Sequence, residues 1–103
     1  MKRFGRVSRL KLDQAAEYER LHAAVWPDVL DAIRRSGISN YSIFRYNEWL
    51  FSYFEVPANR PLEEVWKILA DSPACQRWEA LMVPLRQAGE VGTWLPMKEV
   101  FHL

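Results

Sequence analysis

The chain has 103 residues, half of them hydrophobic and 14% aromatic, and its formal net charge is +1. This length fits one compact domain spanning residues 1–103 and leaves no room for a second. Because 14 Lys and Arg nearly balance 13 Asp and Glu, with no basic stripe among them, nucleic acid is excluded as the expected partner.

Cysteine content and the N-terminal sequence indicate where the protein works. Cys75 is the only cysteine, so no internal disulfide can form and a reducing compartment is favoured. The first twenty residues lack the apolar stretch of a signal peptide, and no segment has the length of a membrane span. We therefore expect a soluble, cytoplasmic protein that does not bind a membrane.

The first part of the chain predicts one strand and one interrupted helix. Residues 3–12 interleave basic and apolar side chains, which favours a strand whose basic positions are solvated. Asp13 is expected to cap the helix that begins near Ala15. Pro27 lacks a backbone donor, so the helix should kink or break there, and Gly37 is a typical helix end.

Two further strands are predicted next. Residues 38–46 and 49–56 are rich in aromatic and branched side chains, and Asn47-Glu48 is a connection short enough for a hairpin. The second of these strands is apolar on both faces, although a sheet in a small α+β domain normally shows one face to water. Something must cover the second face, and the simplest candidate is another copy of the chain.

The last third of the chain predicts helices and a final strand. Pro61 suits the first turn of one helix, and Asp71-Ser72-Pro73 combines a cap with the start of the next. Residues 97–103 are predicted to end the chain as a strand. The resulting order of elements is that of an α+β, ferredoxin-like split βαβ sheet with helices on one face.

Conventional catalytic motifs are absent, and the candidate residues are few. The chain has only four glycines and no glycine-rich phosphate loop, and His22, Cys75 and His102 lack metal-ligand spacing. Tyr18 and His22 are neighbours on one helix face. His22 could be a core histidine with a satisfied hydrogen bond. Alternatively, its imidazole could work beside the phenol in a cavity between helix and sheet, as a pair suited to proton transfer at neutral pH.

Trp78 and Tyr41 allow the same two interpretations. On its helix, Trp78 could belong to the core, or its indole face could hold the C–H groups of a sugar ring. Tyr41 lies on a predicted strand and joins the same site only if its side chain faces the helices. Periodicity alone leaves both alternatives open.

Three segments resemble the L-rhamnose mutarotase family: residues 18–44, residues 72–82 (SPACQRWEALM) and residues 99–103 (EVFHL). The most specific element is Tyr-x-x-x-His followed by x-x-x-Trp-Pro, and the similarity runs nearly end to end. The resemblance implies a ferredoxin-like homodimer, an α/β barrel-type assembly in which two subunits pack sheet to sheet. It also implies interconversion of the α and β anomers of L-rhamnose, a small neutral monosaccharide, without a metal or other cofactor.

The resemblance further implies roles for individual residues. His22 would be the proton donor to the ring oxygen, and Tyr18, Tyr41 and Trp78 would line the sugar site. One position departs from the family, because its best-known members carry a second Trp where this chain has Glu79. That carboxylate could hydrogen-bond a sugar hydroxyl or face solvent, and it leaves open another 6-deoxy sugar such as L-fucose.

Two other classes of function stay open at the level of sequence. Dimeric ferredoxin-like folds also host small oxygenases that act on aromatic substrates, although a fold does not fix a function. The aromatic residues could instead build only the dimer of a non-catalytic module.

Overall fold

The computed structural model describes residues 1–103 as a four-stranded antiparallel sheet covered by helices on one face. In sheet order the strands are β2 (Ser39–Tyr46), β3 (Trp49–Val56), β1 (Lys2–Arg9) and β4 (Leu95–Met97). The helices are α1 (Ala15–His22), α2 (Pro27–Ser36), α3 (Leu62–Ala70) and α4 (Pro73–Met82). Because β3 lies between β1 and β2 and runs antiparallel to both, the predicted split βαβ, ferredoxin-like fold is confirmed.

Proline and glycine delimit the helices as predicted. Pro27 begins α2, and the preceding Trp26 has a non-helical backbone (φ −59°, ψ 137°) because the proline ring disfavours helical geometry there. Gly37 ends α2 with a φ of 94°, a conformation that suits glycine alone. Ser72 caps α4, since its hydroxyl accepts a hydrogen bond of 3.2 Å from the amide of Cys75.

The start of the chain differs from the prediction at three points. β1 ends at Arg9 rather than at residue 12. Asp13 caps no helix, because it lies inside a short 3₁₀ turn and α1 begins without a side-chain cap. Arg6 does not lie on the outer side of the sheet either: its register partner is the buried Ser52 of β3, and both lie on the helix side.

The predicted C-terminal strand was wrong over most of its length. β4 comprises only Leu95–Met97, which pairs with β1, and residues 98–103 are exposed and irregular. The apolar residues of this ending have no layer to pack against: Val100, Phe101 and Leu103 are all exposed. Without burial on one face, the alternation of side chains does not specify a strand.

The two faces of the sheet differ in what covers them. Leu50, Phe54 and Val56 of β3 are fully buried against the helices. The opposite side, which we call the open sheet face, is covered by no element of this chain. Its apolar side chains are Val7, Phe44, Tyr46, Trp49, Phe51, Tyr53, Leu95 and Met97, and the charged Arg3, Arg9 and Glu55 lie on the same side. The second apolar face predicted from the sequence is therefore present, with Phe44 65% and Tyr46 70% exposed.

A bulge in β2 determines the direction of Tyr41. The ladder with β3 shifts between Ser39 and Ser42, and Asn40 within it has a positive φ of 49°. A bulge adds one residue on one strand and so changes which face the next side chain occupies. As a result, Tyr41 lies on the helix side of the sheet, where its hydroxyl meets Arg6.

Candidate functional site

A cavity of about 600 Å³ lies between the helices and the sheet, with a mostly hydrophobic lining. Its volume is within the range of small-molecule sites, about 300–1,000 Å³. The polar side chains on its wall come from both layers: Arg6, Tyr18, His22, Tyr41, Gln76, Glu79 and Arg86. Trp78 also lies on this wall. The five residues singled out from the sequence therefore line one cavity: Tyr18, His22, Tyr41, Trp78 and Glu79.

His22 is the last residue of α1, and its ring is held by three contacts. Nδ1 lies 2.9 Å from the carbonyl oxygen of Tyr18. The ring stacks on the phenol of Tyr18 with 4.0 Å between centroids, and it meets Trp78 edge-on at 5.3 Å. Because a carbonyl oxygen only accepts, Nδ1 is the donor, and Nε2 of the neutral ring carries the free lone pair.

Burial sets the charge state of His22. Desolvation lowers its pKa below the ordinary value of 6.5, and the hydrogen bond to the Tyr18 carbonyl opposes this only in part. The charged form of an imidazole is the one that burial disfavours. His22 is therefore neutral at pH 7, with a basic Nε2 and a protonated Nδ1.

The two phenols on the wall stay protonated. Burial raises the pKa of Tyr18 well above its usual range. Burial also raises the pKa of Tyr41, against the opposing effect of the nearby Arg6 guanidinium. The Tyr41 oxygen accepts a hydrogen bond of 3.3 Å from Nη2 of Arg6, so its own proton remains available to a ligand.

Trp78 belongs to the core and to the cavity wall at once. Its side chain on α4 is 9% exposed, and its ring packs edge-on against Trp26 with 5.1 Å between centroids. It also lines the cavity beside His22. The core and ligand interpretations of this residue are thus compatible, because one part of the indole packs inward while another remains on the wall.

Glu79 stands at the rim of the cavity and does more than face solvent. Its carboxylate is 58% exposed and forms an ion pair with Arg86, whose side chain is only 7% exposed. A buried guanidinium needs a partner of opposite charge. Glu79 therefore neutralises a cation on the cavity wall.

Arg6 was not predicted to be a site residue, although the sequence carried a signal for it. Phe4, Arg6 and Leu10 have the same parity, and side chains two apart on a strand share a face. Since Phe4 and Leu10 are apolar, Arg6 should have been expected to point inward with them. Its guanidinium carbon in fact lies 4.9, 5.4 and 5.1 Å from the ring centroids of Phe54, Trp66 and Trp94.

Arg86 was also missed, and no local pattern could have found it. It follows the last turn after α4, and its backbone forms an isolated bridge with Leu10. Its burial depends on that contact between distant parts of the chain. The spacing of apolar residues within one segment cannot indicate such a long-range contact.

Neither a metal centre nor a membrane span emerges from the structure. No three His, Cys, Asp or Glu side chains are grouped closely enough to hold a metal ion. None of the helices has both the length and the apolar character needed to cross a bilayer.

Comparisons with known proteins agree on one family. Residues 3–103 match the family model described as L-rhamnose mutarotase (rhaM). The chain is 35% identical to the L-rhamnose mutarotases of Bacillus subtilis (strain 168) and Lactiplantibacillus plantarum, with 100% of this chain and 99% of each relative covered. The crystal structure of an L-rhamnose mutarotase from Formosa agariphila matches with a TM-score of 0.79 at 23% identity. That match covers 100% of this chain and 99% of that one and shows the fold.

Proposed function

The chain belongs to the L-rhamnose mutarotase family and is an isomerase that interconverts sugar anomers, and on that basis we propose that it acts on L-rhamnose with His22 as its acid–base residue. The observation that carries the assignment of His22 is its hydrogen bond to the Tyr18 carbonyl. That bond leaves a basic Nε2 on a ring that lines the cavity. Family membership favours this activity over the oxygenase and the non-catalytic module.

The proposed reaction needs one proton to move between two oxygens of the sugar. Nε2 of His22 takes the proton of the anomeric hydroxyl while the bond from C1 to the ring oxygen breaks, which leaves an aldehyde at C1. The ring oxygen then receives that proton from Nε2. Rotation about the C1–C2 bond and the reverse steps give the other anomer, with all atoms and charges balanced.

One imidazole can serve both oxygens because both are bonded to C1 before the ring opens. The sequence resemblance made His22 the proton donor, whereas the tautomer favoured by its hydrogen bond makes it a base first and a donor second. A positioned acid–base group contributes about 10²–10⁴-fold, a scale suited to this reaction.

The other residues on the wall would bind and orient the sugar. The protonated phenols of Tyr18 and Tyr41 can donate to sugar oxygens, and the indole of Trp78 offers an apolar surface for C–H groups. Glu79 lies at the rim, where its carboxylate can accept from a hydroxyl while it pairs with Arg86. These assignments rest on their common place around one cavity.

We further propose a homodimer that packs through the open sheet face, in a cytoplasmic location. Phe44 and Tyr46 expose most of their surface on that face, and contiguous apolar patches of this kind mark protein interfaces. The unpaired Cys75 fits a reducing compartment.

Saturation-transfer NMR on the purified protein tests the proposed activity. Irradiation of one anomeric signal of L-rhamnose should diminish the other in proportion to enzyme concentration, because exchange transfers the saturation. L-Fucose and common hexoses form the comparison panel, and L-rhamnose should exchange fastest. Equal slow exchange with and without protein would contradict the activity, and faster exchange of L-fucose would reassign the substrate.

A further inference from the structure

The charges on the cavity wall do not balance. Arg86 is paired with Glu79, and burial keeps His22 neutral. Arg6 takes part in none of the eight ion pairs of the chain. The wall therefore carries one positive charge in excess, and it resides on Arg6.

The surroundings of Arg6 hold its guanidinium in place without neutralising it. Its Nε is buried without a hydrogen-bond partner, and only Nη2 has a protein acceptor, the Tyr41 hydroxyl at 3.3 Å. The three aromatic rings around it, Phe54, Trp66 and Trp94, each make a cation–π contact with it. Such rings fix the plane of the guanidinium but offer no acceptor for its remaining N–H groups.

We propose that the cavity also accepts aldoses that carry a carboxylate, that is uronic acids, and that Arg6 binds the carboxylate. The proposal rests on the proposed function, since His22 would open and close the ring of the acid by the same proton transfer. A guanidinium is the side chain best matched to a carboxylate, because its planar donors can engage both oxygens.

The excess of a single charge favours a carboxylate over a phosphate. A monoanion would make the wall neutral, as the burial of charge requires. A phosphate dianion would leave a net negative charge in a mostly hydrophobic cavity, with the Glu79 carboxylate at its rim. A sugar phosphate is therefore the appropriate negative control.

Three sugars that differ only at C6 make the test specific. L-Rhamnose bears a methyl group there, L-mannose a hydroxymethyl group and L-mannuronate a carboxylate. Saturation-transfer NMR with the wild-type protein should detect accelerated anomer exchange of L-mannuronate. The protein should accelerate the exchange of L-mannose 6-phosphate very little. In Arg6→Met, the exchange of L-mannuronate relative to L-rhamnose should fall about ten- to hundredfold, the effect of losing a charge-assisted hydrogen bond. Arg77→Met removes the same charge from an exposed position on α4 and should leave the ratio unchanged.

A second measurement needs no variant. L-Mannuronate should slow the exchange of L-rhamnose by the wild-type protein at about one tenth of the concentration at which L-mannose does. Three results would overturn the proposal. The first is accelerated exchange of L-rhamnose without that of L-mannuronate, and the second is an unchanged ratio of L-mannuronate to L-rhamnose exchange in Arg6→Met. The third is equal competition by L-mannuronate and L-mannose. Exchange of none of the sugars would instead overturn the proposed function itself.

Discussion

Replacing Glu79 with Gln removes the negative charge from the Glu79–Arg86 pair while keeping the shape of the side chain. Removing one partner of a fully buried ion pair destabilises a protein by about 3–5 kcal/mol, and an exposed pair is worth about 0–1 kcal/mol. Here Arg86 is buried at 7% exposure but Glu79 is 58% exposed, so solvent screens the pair from one side. We expect a loss of about 1–2 kcal/mol, which corresponds to about 5–10 °C in Tm for a chain of this size.

A double-mutant cycle makes this prediction specific to the pair. Arg86→Met replaces the buried cation with an apolar side chain of similar length, and the Glu79 carboxylate left behind is 58% exposed and so stays hydrated. Glu79→Gln should then have almost no effect in the Arg86→Met background. Urea denaturation at one fixed protein concentration measures all four proteins, with Glu63→Gln on α3 as an exposed control that forms no ion pair. A Glu79→Gln protein as stable as wild type, or equal losses in both backgrounds, would refute the reasoning.

Three further predictions concern assembly and catalysis. Light scattering should find a wild-type dimer at micromolar concentration. Phe44→Glu on the open sheet face should convert it to a monomer, whereas the control Leu81→Glu, at a residue exposed elsewhere, should leave it dimeric. A folded wild-type monomer would contradict the proposed interface. The rate of anomer exchange should fall as pH drops through a pKa below 6.5, because protonation of His22 removes the basic Nε2; a rate that rises toward acid would contradict the base-first order. Tyr18→Phe should weaken sugar binding about fivefold in an NMR titration, because the phenol can no longer donate to the sugar. Its exchange rate should still fall at low pH as in the wild type, because the backbone carbonyl of Tyr18 still holds the imidazole. Loss of that pH dependence would contradict the separate roles of the Tyr18 side chain and backbone.

Most of the fold follows from local patterns in the sequence. Interleaved basic and apolar residues indicated β1, aromatic and branched residues indicated β2 and β3, and the backbone chemistry of Pro27 and Gly37 marked where α2 begins and ends. The C-terminal ending was predicted wrongly because its apolar residues suggest a strand, while nothing else in the chain buries them. The pattern of apolar residues indicates which side chains of a segment can be buried. Whether they are buried depends on the helices and strands that pack against that segment.

The candidate site was predictable only in part. Tyr18 and His22 lie one helical turn apart, so their proximity follows from geometry. The direction of Tyr41 depends on the bulge at Asn40, and the burial of Arg86 depends on its bridge to a remote strand residue. The tautomer of His22 depends on a single distance, and no sequence pattern encodes such a distance.

The most direct test of the central claim is the anomer exchange of L-rhamnose by a His22→Asn protein. Asn retains a polar tip of similar reach, so the carbonyl of Tyr18 need not lose its donor, and His102→Asn is the matched control at the exposed second histidine. Circular dichroism and light scattering should show that both variants fold and assemble like wild type. We predict that His22→Asn still binds L-rhamnose but loses most of the saturation transfer between anomers, about 10²-fold or more, while His102→Asn keeps it. Wild-type exchange by a folded His22→Asn protein would contradict the account.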